Sequence, residues 1–355
     1  MTAEKMPTPW APGSDTFRPI PAATIGAAFD RPRLAVVIDT EEEFDWARPL
    51  ARANVAVTNI ARQPRAQDLF RPRGVVPTYV VDHPVVADAG SAAVMRGFAE
   101  RGEALIGAHL HPWVTPPDHE AVTPANSYAG NLPAALERAK LERLTDAIET
   151  ATGVRPRVYK AGRYGFGPHT ARLLADLGYR VDSSMVARSA FTADGGPDYT
   201  ALPAEPAWLT GPGEILELPL TAGFAGVARG AGATAFPRLS APWATRLRIP
   251  GVLARSRLLE KIRLSPEGTT LAEMKRLTTA LLADGQRVFC LAYHSSTLLP
   301  GGSPYTRTSA DVTAFLDRIA GYLDFFVEEI GGVPATPLEI RAALTAQTED
   351  GRNSR

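Results

Sequence analysis

The sequence predicts an α/β protein built as one (β/α) barrel, and three observations carry that reading. Short runs of β-branched and apolar residues alternate with helical patterns about seven times, the signature of parallel βα units. No break in composition divides the 355 residues into two parts. The ends of the apolar runs, where a parallel barrel gathers its functional groups, carry the chain's acidic and histidine-bearing stretches. An open sheet of the same elements is the competing architecture, because periodicity alone does not establish closure.

The strands read in order as Leu34–Ile38, Pro77–Val81, Ala104–Ala108, Arg157–Tyr159, Tyr179–Asp182, Ile215–Pro219 and Val288–Tyr293. Helices fall between them. Leu132–Thr152 places Leu136, Leu141, Leu144 and Ile148 at helical spacing before the stop Gly153. His169–Leu177 ends at Gly178, Leu271–Ala283 follows the cap residues Thr269 or Thr270, and Asp311–Glu329 closes at Gly331-Gly332. Residues 1–30 form a partly irregular extension, residues 31–345 the single domain, and residues 346–355 a polar tail.

Residues 222–268 break the rhythm and read as a helical, basic insertion. Between Arg229 and Arg263 it holds eight cations against one acid, Glu260, with Phe236 and Trp243 interleaved. Its two readings are a solvated insertion and a contact for an anionic lipid or a phosphate-bearing substrate. Its glycine-rich loop lacks the lysine and spacing of a P-loop.

Composition excludes several classes. With 45% hydrophobic and 21% charged residues the chain is globular rather than disordered. A net charge of zero, from 38 basic and 38 acidic side chains, argues against a nucleic-acid-binding surface. The single cysteine, Cys290, lies in an apolar run and reads as a buried strand residue. One cysteine forms no intramolecular disulfide, the N-terminus lacks a signal peptide's apolar core, and no 18-residue apolar stretch occurs. These features predict a cytoplasmic protein without a transmembrane segment.

The strand ends supply the chemistry. The first runs Asp39-Thr40-Glu41-Glu42-Glu43-Phe44-Asp45, five carboxylates in seven residues that need a cation or arginine partners. The third runs His109-Leu110-His111-Pro112-Trp113. In extended chain both imidazoles point the same way and can share one cation, with a carboxylate completing the set. His294, after the seventh strand, suits general-acid work or a third nitrogen ligand. Tyr159-Lys160-Ala161-Gly162-Arg163-Tyr164 adds cations and backbone amides, and Asp182-Ser183-Ser184 adds a carboxylate and hydroxyls. Asp82 and His83 are weaker candidates, and Asn126-Ser127-Tyr128 belongs to a loop suited to a lid or substrate contact.

Taken in that order, these motifs resemble the polysaccharide deacetylase family, the NodB-homology or carbohydrate esterase family 4-like group, and most closely its WalW-type subgroup. The resemblance runs from about Leu34 to the last helix. It implies a distorted (β/α)7 barrel and a metal-dependent deacetylase, most simply with zinc, acting on N-acetylated amino sugars or a glycan precursor. By the resemblance Asp39 is the catalytic base, Glu41, His109 and His111 hold the metal, and Tyr164 offers its backbone amide to the oxyanion. Asp182 steers His294, the general acid. Lys160 takes the place of the arginine that orients the base, with Arg163 one turn further on as the substitute. Trp113, Tyr128, Ser183 and Ser184 fall to substrate binding.

The chain departs from the family's pattern in two places. Thr40 separates acids that are usually adjacent, so the Asp39 and Glu41 roles can be exchanged, and Glu42 or Glu43 can serve instead. The two histidines stand two residues apart where four is usual. A non-sugar amide or imide hydrolase, metal-free in one version, and a silent glycan-binding protein are the rival readings.

Overall fold

The computed structural model describes residues 9–13, 16–209 and 215–353. In chain order the elements are β1 (Phe17–Pro19), α1 (Ala22–Ala28), β2 (Arg33–Thr40), α2 (Gln63–Phe70), β3 (Thr78–Val81), α3 (His83–Ala87), α4 (Ala89–Glu100), β4 (Leu105–Leu110) and α5 (Ala134–Thr152). There follow β5 (Val158–Ala161), α6 (Thr170–Asp176), β6 (Val181–Asp182), β7 (Ala207–Leu209), β8 (Ile215–Glu217), β9 (Ala222–Ala225), α7 (Gly232–Leu239), α8 (Pro242–Arg246) and α9 (Ile249–Arg255). The chain ends with β10 (Glu260–Arg263), α10 (Leu271–Ala283), β11 (Val288–His294), α11 (Ser309–Asp324), β12 (Val333–Pro334) and α12 (Pro337–Asn353).

The seven expected strands are β2, β3, β4, β5, β6, β8 and β11, and they form one parallel sheet in the order β11-β2-β3-β4-β5-β6-β8. β2 is apolar on both faces, as a strand covered on both sides must be. The sheet curls. Its outer strands are stitched together by irregular backbone: Thr221 N donates to Cys290 O, Leu264 N to Thr221 O, and Ala292 N to Leu264 O. Closure by these few bonds, rather than by a regular ladder, is what distorts the barrel.

Helix boundaries follow local chemistry. Thr270, not Thr269, caps α10 in a reciprocal box with Glu273, and Thr308 does the same for α11 with Asp311. Gly153, with φ 74°, ends α5 in the left-handed conformation that glycine tolerates best.

Several elements were not anticipated, among them β1, β7 and α12. β1 pairs with β7, which in turn pairs antiparallel with β8, so residues 17–19 of the extension join the sheet. α12 runs through Asn353, into the segment read as a polar tail. The insertion is not wholly helical either: β9 and β10 form an antiparallel pair at its ends and α7, α8 and α9 lie between them.

The core has two layers. Ile38, Tyr79, Leu141, Leu291 and Phe315 fill the space between sheet and helices. Val37, Val80, Val158, Val181, Leu216 and Cys290 fill the barrel interior, where Ile25 and Phe29 of α1 join Ile340 and Leu344 of α12. Cys290 is fully buried, and burial pushes its thiol up to about 11. α12 therefore completes the interior rather than decorating it. Leu344→Ala should cost about 2–5 kcal/mol of stability, read as a lower urea midpoint at unchanged slope. A shift within experimental error would mean that α12 is not part of the core.

Candidate active site

β2, β4 and β11 bring Asp39, His109 and His294 to one cleft of about 440 Å³ at the C-terminal ends of the strands, and the turn after β5 adds Arg163 and Tyr164. Asp39 of β2 and His294 of β11 are register partners, as are His109 of β4 and Lys160 of β5. Parallel pairing in register points each pair to the same face of the sheet, here the barrel interior.

Asp39 and Lys160 form a buried ion pair. Lys160 Nζ lies 2.6 Å from Asp39 Oδ1 and 2.8 Å from Oδ2, so one ammonium bridges both oxygens where an arginine would fork. Burial opposes the charge on Asp39, but Lys160, His109 and His294 together hold its pKa below the ordinary carboxylate value. Arg163 does not take this part. It turns outward to Asp194 and Ser127, with its guanidinium 4.4 Å from the centre of the Tyr128 ring.

The ligand candidates meet above this pair. His109 Nε2 and His111 Nε2 lie 3.5 and 3.4 Å from Glu41 Oε2, and all three residues are buried. Each imidazole is held by its other nitrogen: His109 Nδ1 donates to Lys160 O at 2.9 Å and His111 Nδ1 to Glu42 Oε2 at 2.7 Å. Both Nε2 lone pairs are thereby aimed at the space beside Glu41, the arrangement seen when histidines serve a metal. Burial, the largest cause, keeps both imidazoles neutral, His111 at about 4.

Glu41 is pushed well above the usual carboxylate range by burial and by Glu42, Asp39 and Asp82, and its Oε1 has no hydrogen-bond partner. A carboxylate with one oxygen unpartnered and the other facing two neutral imidazoles is what a divalent cation would complete, so the residues present fit one.

The other acids of the first strand end are placed elsewhere. Glu42 accepts from His111 and from Trp113 Nε1 at 2.8 Å, while its own amide donates to Asp82. A second grouping of Glu42, Asp82 and His111 exists. There, however, the imidazole nitrogen is already committed to Glu42, and Asp82 caps α3. Glu43 turns away to Thr58 and Asn59. Trp113 stacks on His111 with ring centres 4.2 Å apart, so it braces that imidazole as well as lining the cleft.

Gly162 explains how a two-residue histidine spacing is accommodated. A Cβ at Gly162 would lie 2.2 Å from His111 Cδ2 and 2.7 Å from Leu110 O. The β5 end must be glycine for the His111 ring to sit where it does. Arg163 and Tyr164 then turn with positive φ, 53° and 62°, and carry Tyr164 into the cleft wall.

Three expected roles are corrected. Asp182 does not reach His294. Strand alternation sets it on the face opposite Ser183, where Ser184 donates to it. There it shares burial with Glu217, and burial raises both carboxyls. Ser183 donates to Leu218 O, and Ser184 accepts from the amide of Ala161, so both brace strands and neither lines the cleft.

The residue on His294 is Glu267. It accepts from His294 Nδ1 at 2.8 Å and from the His294 amide at 3.0 Å. Burial works against the imidazolium, but Glu267 and Asp39 raise the His294 pKa above its ordinary value. The remaining nitrogen, Nε2, lies 3.6 Å from Asp39 Oδ2. Sequence reasoning missed Glu267 because it follows β10, inside the stretch read as an insertion. The signal was Ser265-Pro266-Glu267-Gly268, a polar strand end like the others. Trp46 and Tyr305 were missed as well; Trp46 lies edge-on to His294 with ring centres 4.9 Å apart and faces Tyr305.

Two outcomes follow from this geometry. Gly162→Ala should weaken zinc binding about 10- to 100-fold in a chelator competition titration, and overpacking should lower the thermal midpoint as well. Unchanged affinity would remove His111 from the ligand set. Glu267→Gln withdraws the charge that favours the imidazolium, so the His294 titration followed by NMR should move to lower pH. A shift upward, or none, would contradict the pairing.

The sequence matches no family model and no curated protein. Its fold is found among solved structures. A protein of Mycobacterium smegmatis assigned as a polysaccharide deacetylase aligns over 96% of both chains at 20% identity and TM-score 0.51. PuuE allantoinase aligns over 88% of this chain and 90% of its own at 15% identity and TM-score 0.50. The 4-α-glucanotransferase of Thermococcus litoralis matches 88% of this chain but only 40% of its own, at 10% identity and TM-score 0.50. The chain thus has the distorted (β/α) barrel fold that polysaccharide deacetylase-type proteins and allantoinase share.

Proposed function

We propose that the protein is a metal-dependent amide hydrolase that removes the acyl group from an N-acylated amino sugar or a glycan precursor, in the manner of WalW-type polysaccharide deacetylases. The observation that carries this reading is the placement of Asp39 and His294, 3.6 Å apart, beside the His109, His111 and Glu41 set. An acid, a base and a cation site around one cleft are the parts that amide hydrolysis needs.

A divalent cation, zinc by the donor set, supplies Lewis acidity toward the acyl carbonyl when bound. Asp39, kept ionised by Lys160, takes a proton from the attacking water. The Tyr164 amide faces the oxygen on which negative charge develops. His294, held through Nδ1 by Glu267, presents Nε2–H to the departing nitrogen. The C–N bond breaks, and a carboxylate and an amine leave. Phe44, Trp46, Trp113 and Tyr305 give the cleft an aromatic wall suited to the apolar face of a sugar ring. The cytoplasmic setting expected from the sequence favours a precursor over finished polymer.

The fold shared with allantoinase and the guanidinium groups of Arg163 and Arg263 in the cleft favour a second reading, hydrolysis of a small non-sugar amide.

An acid-release screen over N-acetylated sugars, nucleotide sugars and cyclic amides, with metal reconstitution, distinguishes these. Turnover should appear with an amino sugar, vanish on chelation and return with zinc. Asp39→Asn and His294→Ala should each lower kcat at least about a hundredfold. Chelator-insensitive activity would sink the metal assignment, and turnover confined to cyclic amides would favour the second reading.

A further inference from the structure

The stretch from Gly226 to Leu259 contains six arginines and no acid. It also contains five of the large hydrophobic side chains that stand exposed: Val227 (86%), Leu247 (66%), Val252, Trp243 (57%) and Leu258. Only Trp46, Val55 and Tyr305 match them elsewhere among the described residues, and two of those wall the cleft. Apolar and cationic exposure are therefore concentrated on one segment of an otherwise neutral protein.

The local structure arranges both kinds of side chain together. α7, α8 and α9 are short helices joined by tight turns. Leu247 N donates to Trp243 O, which sets these two side chains on one face of a helical turn. Val252 N donates to Arg248 O at the start of α9, and Arg255 lies three residues after Val252, so an apolar group and a cation share a face of that helix. Arg229 is engaged by Asp284 at the edge of the segment. Arg238, Arg246, Arg248, Arg255 and Arg257 are exposed, and among the described residues no carboxylate pairs with them. β9 and β10 anchor the segment at its ends, and Gly223 of β9 lies against Leu277 and Leu281 of α10.

Exposed Trp and Leu cost free energy in water, and five unpaired arginines repel one another. An anionic bilayer surface relieves both at once, because the apolar side chains enter the acyl boundary while the guanidinium groups meet lipid phosphates. A soluble phosphate compound would satisfy the arginines and leave the apolar residues in water. A second copy of this chain would bring arginines against arginines. We propose that residues 226–259 are a monotopic docking surface for an anionic lipid bilayer. It needs no membrane-spanning element, and no described helix is long and apolar enough to be one.

The test is co-sedimentation of the whole protein with vesicles of phosphatidylcholine alone and of phosphatidylcholine with about one-third phosphatidylglycerol. The protein should pellet with the anionic vesicles and stay in solution with the neutral ones. Trp243→Ser with Leu247→Ser should reduce partitioning at least about tenfold, because the inserted area is lost. Arg246→Gln with Arg248→Gln should weaken binding and flatten its salt dependence. Circular dichroism should show both variants folded. Zinc affinity should stay unchanged in both, so a failure here is separable from a failure of the proposed hydrolysis. Equal pelleting with both vesicle types, or none, would overturn the proposal. So would a wild-type dimer in sedimentation equilibrium that Trp243→Ser dissociates.

Discussion

The buried pair of Lys160 and Asp39 is the contact on which the rest of the site depends. Neither charge is tolerable alone in the barrel interior, since an unpaired buried ion costs several kcal/mol. Lys160 does two things from one position. Its ammonium holds Asp39 ionised, and its carbonyl accepts from His109 Nδ1, which turns the opposite nitrogen toward Glu41. Asp39 and the first ligand candidate are thus oriented by the same residue of β5. The hydroxyl of Ser184 fixes the next residue, Ala161, by its amide, so Asp182, Ser184 and Ala161 form a brace one layer behind the chemistry. That is why Asp182 matters to the site although it never enters it.

The same neighbourhood holds more carboxyl groups than its own cations can balance. Asp39 has Lys160, and His294 faces both Asp39 and Glu267. Glu41, Glu42 and Asp82 are all raised by burial and have no arginine or lysine among their contacts. Two of the three have work in hydrogen bonds: Glu42 carries His111 and Trp113, and Asp82 caps α3 and carries the Glu42 amide. Glu41 alone keeps an unpartnered oxygen. The electrostatic deficit and the unpartnered oxygen fall on one residue, and this tells the inner acid from its two outer neighbours.

The strands were legible because burial on both faces writes an uninterrupted apolar run, as in Val36-Val37-Ile38 or Val288-Phe289-Cys290-Leu291. Asp39, His109, Lys160 and His294 were legible because strand ends are where a parallel barrel must place polar side chains. What escaped were pairings set by the third dimension. Asp182 and Ser183 are adjacent in sequence, yet the pleat sends one to the helix layer and the other inward. No local pattern said which acid would meet His294. Glu267 reaches it through Leu264, whose backbone stitches the barrel edge between Thr221 and Ala292. α12 was missed for a different reason: its polar outer face hides the few apolar residues, Ile340 and Leu344, that enter the core.

The histidine spacing shows how a local departure is absorbed. Ligands four residues apart need a turn of helix to share a face, whereas two residues apart they share one as successive inward positions of extended chain. His109 is the last residue but one of β4, and His111 follows the strand with β-region backbone, φ −97° and ψ 105°. The second ring therefore sits close to the neighbouring strand instead of being lifted off it. Room for it comes from the missing side chain at Gly162, and its orientation from Glu42 on one nitrogen and Trp113 on its face. The extra acids after Asp39, the glycine after Ala161 and the tryptophan after Pro112 are then three parts of one adjustment. A sequence with the short spacing but without these residues would lose the orientation of its second histidine while keeping the first.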